Sequence, residues 1–90
     1  MKTYIVEDSP IMLERISASL VALPFVEIVG SSNNEEEAYA DISRLRPDFL
    51  ILDINLKEED KISLLKKLKA ELPGIKVTIL DHSSPEFFIR

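Results

Sequence analysis

Four short strand-forming runs alternate with three amphipathic helix patterns along this chain, and no other sequence feature constrains the fold as strongly. The runs that predict strands are KTYIV, VEIVG, FLIL and KVTIL, at residues 2–6, 26–30, 49–52 and 76–80. Strict alternation of strand and helix predicts a parallel sheet with helices on both of its faces. Because crossovers between parallel strands are right-handed, only a few strand orders remain.

The predicted helices have recognisable start and stop signals. The first is predicted over residues 10–23, with Ser9 as its N-cap and Pro10 at its first position. Asn33 or Asn34 can cap the second helix. The residues that end the three helices are Pro24, Pro47 and the pair Pro73-Gly74. Apolar residues at helical spacing mark the first and third helices, Met12, Ile16, Leu20 and Leu23 in the first and Ile62, Leu65, Leu68 and Leu72 in the third. In the second helix the predicted buried face is Ala38, Ile42 and Leu45.

Length, charge and cysteine content exclude several classes of protein. A chain of 90 residues suits one small domain. Its formal net charge of −5 argues against direct contact with nucleic acid, which requires a basic surface. It has no Cys for a disulfide framework or a thiolate metal site, and no apolar run long enough to cross a membrane. The start at Met1 lacks a signal-peptide layout, so we expect a cytoplasmic protein.

Three acidic residues follow predicted strands at the point where each strand ends. Glu7 and Asp8 come directly after the first strand, and Asp53 comes after the third. The third run is apolar at every position, which is typical of a central parallel strand buried on both faces. In an α/β doubly wound sheet with the flavodoxin-like strand order 2-1-3-4, the first and third strands are neighbours. Their carboxyl ends then lie about 5 Å apart, so we expect one acidic pocket.

Carboxylates gathered in one pocket repel each other unless protons or a cation intervene. With no Cys present and the single His, His82, elsewhere in the sequence, we expect a hard cation, and Mg²⁺ fits best. A carboxylate beside Mg²⁺ can act as a nucleophile toward a phosphoryl group. We therefore predict Asp53 as the nucleophile and Glu7 and Asp8 as metal ligands. For any one of these acids alone, a helix cap or a loop residue is the simpler interpretation.

The chain resembles the receiver domains of two-component response regulators over residues 3–80. The stretches that carry the resemblance are YIVEDSPIMLERI, VEIVGSSNNEEEAYADISRLRPDFLILDINL and ISLLKKLKAELPGIKVTIL. The resemblance implies that Asp53 is phosphorylated by a histidine kinase or a phosphotransfer protein. It also implies that Glu7 and Asp8 form the acidic metal-binding pair and that the backbone carbonyl of Asn55 completes the Mg²⁺ site.

Several positions depart from the family's pattern. Lys57 stands where the family usually has Pro, and Lys61 stands where it usually has Gly before the third helix. At the end of the fourth strand the family carries a Ser or Thr that hydrogen-bonds the phosphoryl group. The simplest alignment places Asp81 at this position, where a carboxylate would repel a phosphoryl group. The weaker candidates for the phosphate-binding role are Ser83 and Ser84.

The chain is also shorter than the receivers that it resembles. The family has a fifth strand with a Lys at its end, followed by a fifth helix, and the chain stops before both. Residues 1–90 are therefore predicted to be a single incomplete receiver-like domain of four strands and three helices. A fourth strand at the sheet edge exposes hydrogen-bonding groups. We accordingly expect self-association through that edge or through the tail residues Phe87-Phe88-Ile89.

Three functional interpretations remain open. The first is a phosphoacceptor module that is not itself an enzyme. The second is a degenerate receiver that binds a partner without phosphorylation, which the missing Lys and Asp81 favour. The third is a small Mg²⁺-dependent phosphohydrolase with an Asp nucleophile at a strand end. That class usually carries two Asp residues two apart after the first strand, whereas Asp8 is followed by Ser9 and Pro10.

Overall fold

The computed structural model describes residues 1–53 and 57–80, and within them strands and helices alternate strictly. The strands are β1 (Lys2–Val6), β2 (Glu27–Ser32), β3 (Phe49–Asp53) and β4 (Lys76–Leu80). The helices are α1 (Pro10–Val21), α2 (Glu35–Leu45) and α3 (Glu58–Glu71). The predicted β-α-β-α-β-α-β order is therefore confirmed.

The four strands form one parallel sheet in the order β2-β1-β3-β4. β1 and β3 pair in the centre, from Thr3 opposite Phe49 to Val6 opposite Leu52. β4 pairs with β3 along its whole length. The pairing of β1 with β2 shifts register between Thr3 and Tyr4. The predicted flavodoxin-like order 2-1-3-4 is confirmed, and it makes β1 and β3 neighbours.

The helices α1 and α2 begin at residues whose side chains cap them. Ser9 and Asn34 each accept a hydrogen bond from a backbone N–H in the first turn of the helix that follows. Each cap satisfies a donor that has no partner within its helix. α1 ends at Val21, two residues before the predicted end at residue 23. The residue before Pro24 is sterically disfavoured in the helical conformation, so the helix stops early.

Strand β2 extends further than its apolar residues indicate. The predicted end was Gly30, whereas the strand continues to Ser32. Ser31 and Ser32 lie opposite Ile5 and Val6 of β1. Strand pairing uses backbone N–H and C=O groups, which serine supplies as well as any apolar residue does.

The buried face of α3 centres on two leucines. Leu64 and Leu68, four residues apart, are fully buried, and Leu65 packs partly buried against the same core. Ile62, one of the apolar residues that mark this helix in the sequence, is 45% exposed. Helical spacing fits two sets of residues, 62, 65, 68 and 72 or 64 and 68. Only packing against the sheet decides which set is buried.

Helices lie on both faces of the sheet and divide the core in two. The core beneath α2 and α3 contains Tyr4, Val6, Ala38, Ile42, Leu50, Leu52, Leu64, Leu68 and Ile75. The core beneath α1 contains Ile5, Ile16, Leu20, Phe49 and Ile51. An apolar cleft of about 140 Å³ opens beside α1 and is lined by Met1, Thr3, Leu20, Leu23, Phe25, Val26, Phe49 and Ile51.

Candidate acidic site

The carboxyl ends of β1 and β3 bring the three predicted acidic residues together. Val6 pairs with Leu52 in the central pair of strands. Glu7 follows Val6 directly, and Asp53 follows Leu52 as the last residue of β3. Asp8 is the next residue after Glu7. The apolar side chains of β1 and β3 favour a central position in the sheet. The acidic residues therefore lie at the ends of strands that are held in place on both sides.

One carboxylate oxygen from each of Glu7, Asp8 and Asp53 lies within 4.8 Å of the others. Glu7 and Asp53 are almost fully buried, with relative exposures of 2% and 1%, whereas Asp8 is exposed. Burial removes water that would otherwise screen the negative charges, so the carboxylates repel one another more strongly than on a surface. A bound cation would offset this repulsion.

The loop after β1 holds the Glu7 carboxylate in place. The Ser9 backbone N–H donates to Glu7 Oε1 at 3.1 Å, and the Glu7 backbone N–H donates to the Ser32 carbonyl oxygen at 2.9 Å. Ser9 also caps α1 through its side chain. The sequence predicts the cap, but the contact with Glu7 carries no sequence signal beyond the short Glu-Asp-Ser-Pro spacing.

A cleft of about 290 Å³ adjoins the acidic residues on the side of β2. Glu7 and Asp8 form one wall, and the turn of residues 31–33 together with Glu37 forms another. Sequence analysis treats the serines and asparagines of this turn only as loop and cap residues. The structure adds that their polar groups border the acidic site, which is open to a small ligand on this side.

The chemistry of these donors suits a hard divalent cation. All three side chains offer carboxylate oxygens, which Mg²⁺ and Ca²⁺ prefer over nitrogen or sulfur. Mg²⁺ requires only one or two protein carboxylates together with waters and a phosphate oxygen. An arrangement with one exposed and two buried carboxylates leaves room for such additional ligands, so the residues present fit the ion.

The register of β4 identifies the residues beside Asp53 on the outer side of β3. Leu80, the last residue of β4, lies opposite Asp53, and Thr78 lies opposite Ile51. Alternation along a strand puts Thr78 on the same face as Asp53, two residues before the end of β4. Thr78 is fully buried, and its Oγ1 has no hydrogen-bond partner among the described residues.

Several predicted positions lie outside the described residues. The backbone carbonyl predicted as a metal ligand belongs to Asn55, in the gap between β3 and α3. The positions beyond β4 are Asp81, His82, Ser83, Ser84 and the tail Phe87-Phe88-Ile89. Their roles stay predictions.

Comparison with known families identifies the family to which this fold belongs. The sequence model of the family described as the response regulator receiver domain matches residues 3–89. The chain belongs to the response regulator receiver domain family. It is a receiver of the kind that operates in two-component signalling, and the resemblance read from its sequence is confirmed.

Curated relatives match this receiver over a small part of their own length. The chain is 41% identical over 83 residues to the protein-glutamate methylesterase/protein-glutamine glutaminase of Agrobacterium fabrum, covering 90% of the chain and 24% of that protein. It is 37% identical over 73 residues to such an enzyme from Syntrophus aciditrophicus, covering 81% of the chain and 21% of that protein. The receiver therefore spans about a quarter of these relatives, whose enzyme names describe the whole proteins.

Solved receiver structures share the fold. The isolated REC domain of RcsB from Salmonella enterica serovar Typhimurium, with the phosphomimetic BeF3⁻, matches with a TM-score of 0.79 and 26% identity. The match covers 90% of this chain and 61% of that chain. The apo form of the same domain matches with a TM-score of 0.76 and 28% identity, over 88% of this chain and 58% of that one.

Membrane-spanning helices are not found among residues 1–53 and 57–80. Each helix there is too short or too polar to cross a bilayer.

Proposed function

We propose that this receiver accepts a phosphoryl group on Asp53 from a histidine kinase or a phosphotransfer protein. The observation that carries the proposal is the cluster of Glu7, Asp8 and Asp53, whose oxygens lie within 4.8 Å of one another at the carboxyl ends of β1 and β3. Ligand sites in open α/β sheets form at this edge. Membership of the receiver family supports the same assignment.

In the proposed reaction a carboxylate oxygen of Asp53 attacks the phosphorus atom of the donor. A new O–P bond forms while the P–N bond of a phosphohistidine breaks. The electron pair of the broken bond stays on the imidazole nitrogen, which then takes up a proton. The position of Asp53 at the end of a buried strand holds the attacking oxygen in place, which lowers the entropic part of the barrier.

Glu7, Asp8 and Asp53 would hold Mg²⁺ in this site, with the Asn55 carbonyl as a predicted additional ligand. When bound, the ion neutralises charge on the attacking and phosphoryl oxygens. Asp8 is the exposed member of the set and meets the incoming ligand first, whereas the buried Glu7 is already oriented by Ser9. The negative charges of the three carboxylates thus contribute to Mg²⁺ binding before phosphoryl transfer begins.

Incubation with Mg²⁺ and acetyl phosphate, followed by intact-mass measurement, tests this proposal. We expect the parent to gain the mass of one phosphoryl group and Asp53→Asn to gain none. Asp48→Asn is the matched control, because Asp48 precedes the opposite end of β3, where it accepts a hydrogen bond from the Lys2 N–H. That variant should be phosphorylated like the parent. A folded parent without a mass gain would contradict the proposal.

A degenerate receiver that binds its partner without phosphorylation is the second candidate. The predicted alignment of Asp81 with the family's phosphate-binding position favours it, because a carboxylate there would repel a phosphoryl group. Asp81→Thr separates the two candidates. If only this variant retains a phosphoryl group, the parent lacks a working phosphate site and the second candidate is the better description.

We also propose that the protein self-associates through the β4 edge in the cytoplasm. β4 ends the strand order of the described sheet, and its Ile79 is 36% exposed. Exposed edges with apolar side chains favour pairing with another chain. Light scattering over a concentration series should show a mass increase that Ile79→Lys abolishes. Ile62→Lys, at an exposed position of α3, should leave it unchanged, and a monomer at every concentration would exclude this contact.

A further inference from the structure

We propose that Ser9 is a positioning residue that joins the cation site to the start of α1, so that the two become ordered together. This inference rests on the proposed cation site. Ser9 makes three hydrogen bonds in two directions. Its N–H donates to Glu7 Oε1 at 3.1 Å. Its Oγ accepts from the Met12 N–H at 3.3 Å, and its carbonyl accepts from the Leu13 N–H at 2.9 Å.

The sequence around Ser9 makes this residue the joint between the acidic pair and the helix. Pro10 occupies the first position of α1 and has no N–H of its own. Ser9 is therefore the residue whose N–H points back to the acidic pair while its two oxygens bind the first turn. The first turn of α1 contains no acidic residue, so the positive end of the helix dipole faces the carboxylates without competition from its own side chains.

Coupling follows from these contacts because the Glu7 side chain is almost fully buried. A cation holds the Glu7 carboxylate in one orientation, and that orientation keeps the Ser9 N–H hydrogen bond. An ordered Ser9 in turn keeps both of its bonds to the first turn of α1. By linkage, a loose first turn must weaken cation binding by the same factor by which the cation strengthens the turn.

Titration of the full chain with Mg²⁺ by calorimetry, together with amide exchange measured by NMR, tests this coupling. Ser9→Ala keeps the backbone N–H but removes the cap, and we expect it to weaken Mg²⁺ binding about fivefold, the factor equivalent to a typical N-cap. Mg²⁺ should slow exchange of the Leu13 amide in the parent by a similar factor and less in Ser9→Ala. Ser9→Thr, which retains a capping hydroxyl, should restore both values.

The matched control is Ser19→Ala, since Ser19 is an exposed residue of the same helix. This variant should bind Mg²⁺ as the parent does. If Ser9→Ala also binds Mg²⁺ like the parent and Leu13 exchange does not respond to the ion, the coupling is refuted while the cation site stands. If the folded parent itself does not bind Mg²⁺, both the coupling and the proposed cation site are overturned.

Discussion

The two faces of the sheet differ in how completely their apolar side chains are covered. On one face, α2 and α3 enclose a core in which Tyr4, Ile42 and Leu68 are fully buried. On the other face, α1 is the one helix over a smaller core within residues 1–53 and 57–80. An apolar cleft of about 140 Å³ opens beside it, next to Phe25, which is 59% exposed.

The difference shows that one face of this receiver contributes most of the stability and the other helps to position the acidic site. The site lies at the carboxyl ends of β1 and β3, and both strands contribute side chains to both cores. The α2–α3 face supplies most of the buried apolar surface, which is the main source of folding stability. The α1 face supplies the loop that positions Glu7 through Ser9. Substitutions should therefore act differently on the two faces.

The largest expected effect comes from leucine truncations on opposite faces. Leu68→Ala, on the α2–α3 face, should cost about 3 kcal/mol because it leaves a closed cavity. Leu20→Ala, beside the cleft, should cost about 2 kcal/mol because the site already borders open space. Urea denaturation with a constant m-value measures both. Equal losses would mean that the cleft is closed in solution and that the contrast between the faces is false.

A glycine pair tests the tightness of the covered face. A Cβ at Gly30 would lie 3.0 Å from Tyr4 Cε2 and 3.4 Å from Leu45 Cδ1, whereas a Cβ at Gly74 would meet nothing within 4 Å. Gly30→Ala should therefore destabilise by about 1.5 kcal/mol through overpacking. Gly74→Ala should stabilise by about 0.5 kcal/mol by restricting the unfolded chain. Urea denaturation measures both changes in the free energy of unfolding. If Gly30→Ala leaves this free energy unchanged, the ring of Tyr4 moves freely.

Two buried threonines on the α1 face differ in the hydrogen bonding of their hydroxyl groups. Thr78 Oγ1 lacks a hydrogen-bond partner among the described residues, whereas Thr3 Oγ1 donates to the Met1 carbonyl at 3.5 Å. Thr78→Val should stabilise by about 1 kcal/mol, because an unsatisfied buried hydroxyl is removed. Thr3→Val should not increase the free energy of unfolding. A loss of stability in Thr78→Val would indicate a partner such as a bound water.

The smallest expected effect is a pH dependence on the α2–α3 face. The Tyr4 hydroxyl donates to Asp41 Oδ2 at 2.6 Å. This bond and the neighbouring Arg44 guanidinium lower the pKa of Asp41, while burial and the same bond raise the pKa of Tyr4. A lowered carboxyl pKa adds stability above the unfolded-state value, and this is lost as the pH falls through the folded-state value.

Tyr4→Phe tests this assignment. The variant should be less stable than the parent at neutral pH, and the difference should shrink as the pH falls below the ordinary carboxyl pKa of about 3.9, where Asp41 becomes protonated in both. Tyr39→Phe is the control, since its ring lies under Lys67 and takes no part in the Asp41 contact. Denaturation curves across this range give the answer, and a difference that persists at the lowest pH would assign the effect to packing.

Much of the candidate site could be read from the sequence, because the end of a strand is a local feature. Glu7, Asp8 and Asp53 each follow a strand-forming run, and the alternation of elements predicts that those runs are parallel. The register of β4 is not evident from the sequence. Leu80 pairs with Asp53, and a register is set by contacts between strands that no single run contains.

The sequence by itself determined the number, type and order of the elements and the three acids at their ends. Apolar periodicity, N-caps and prolines act over a few residues, so they are visible in the chain. Only the tertiary structure decided that Leu64 and not Ile62 is buried in α3 and that the Ser9 N–H binds Glu7. It also decided that Leu80 stands beside Asp53. These outcomes depend on which surfaces meet in space, and burial and register arise only when elements pack together.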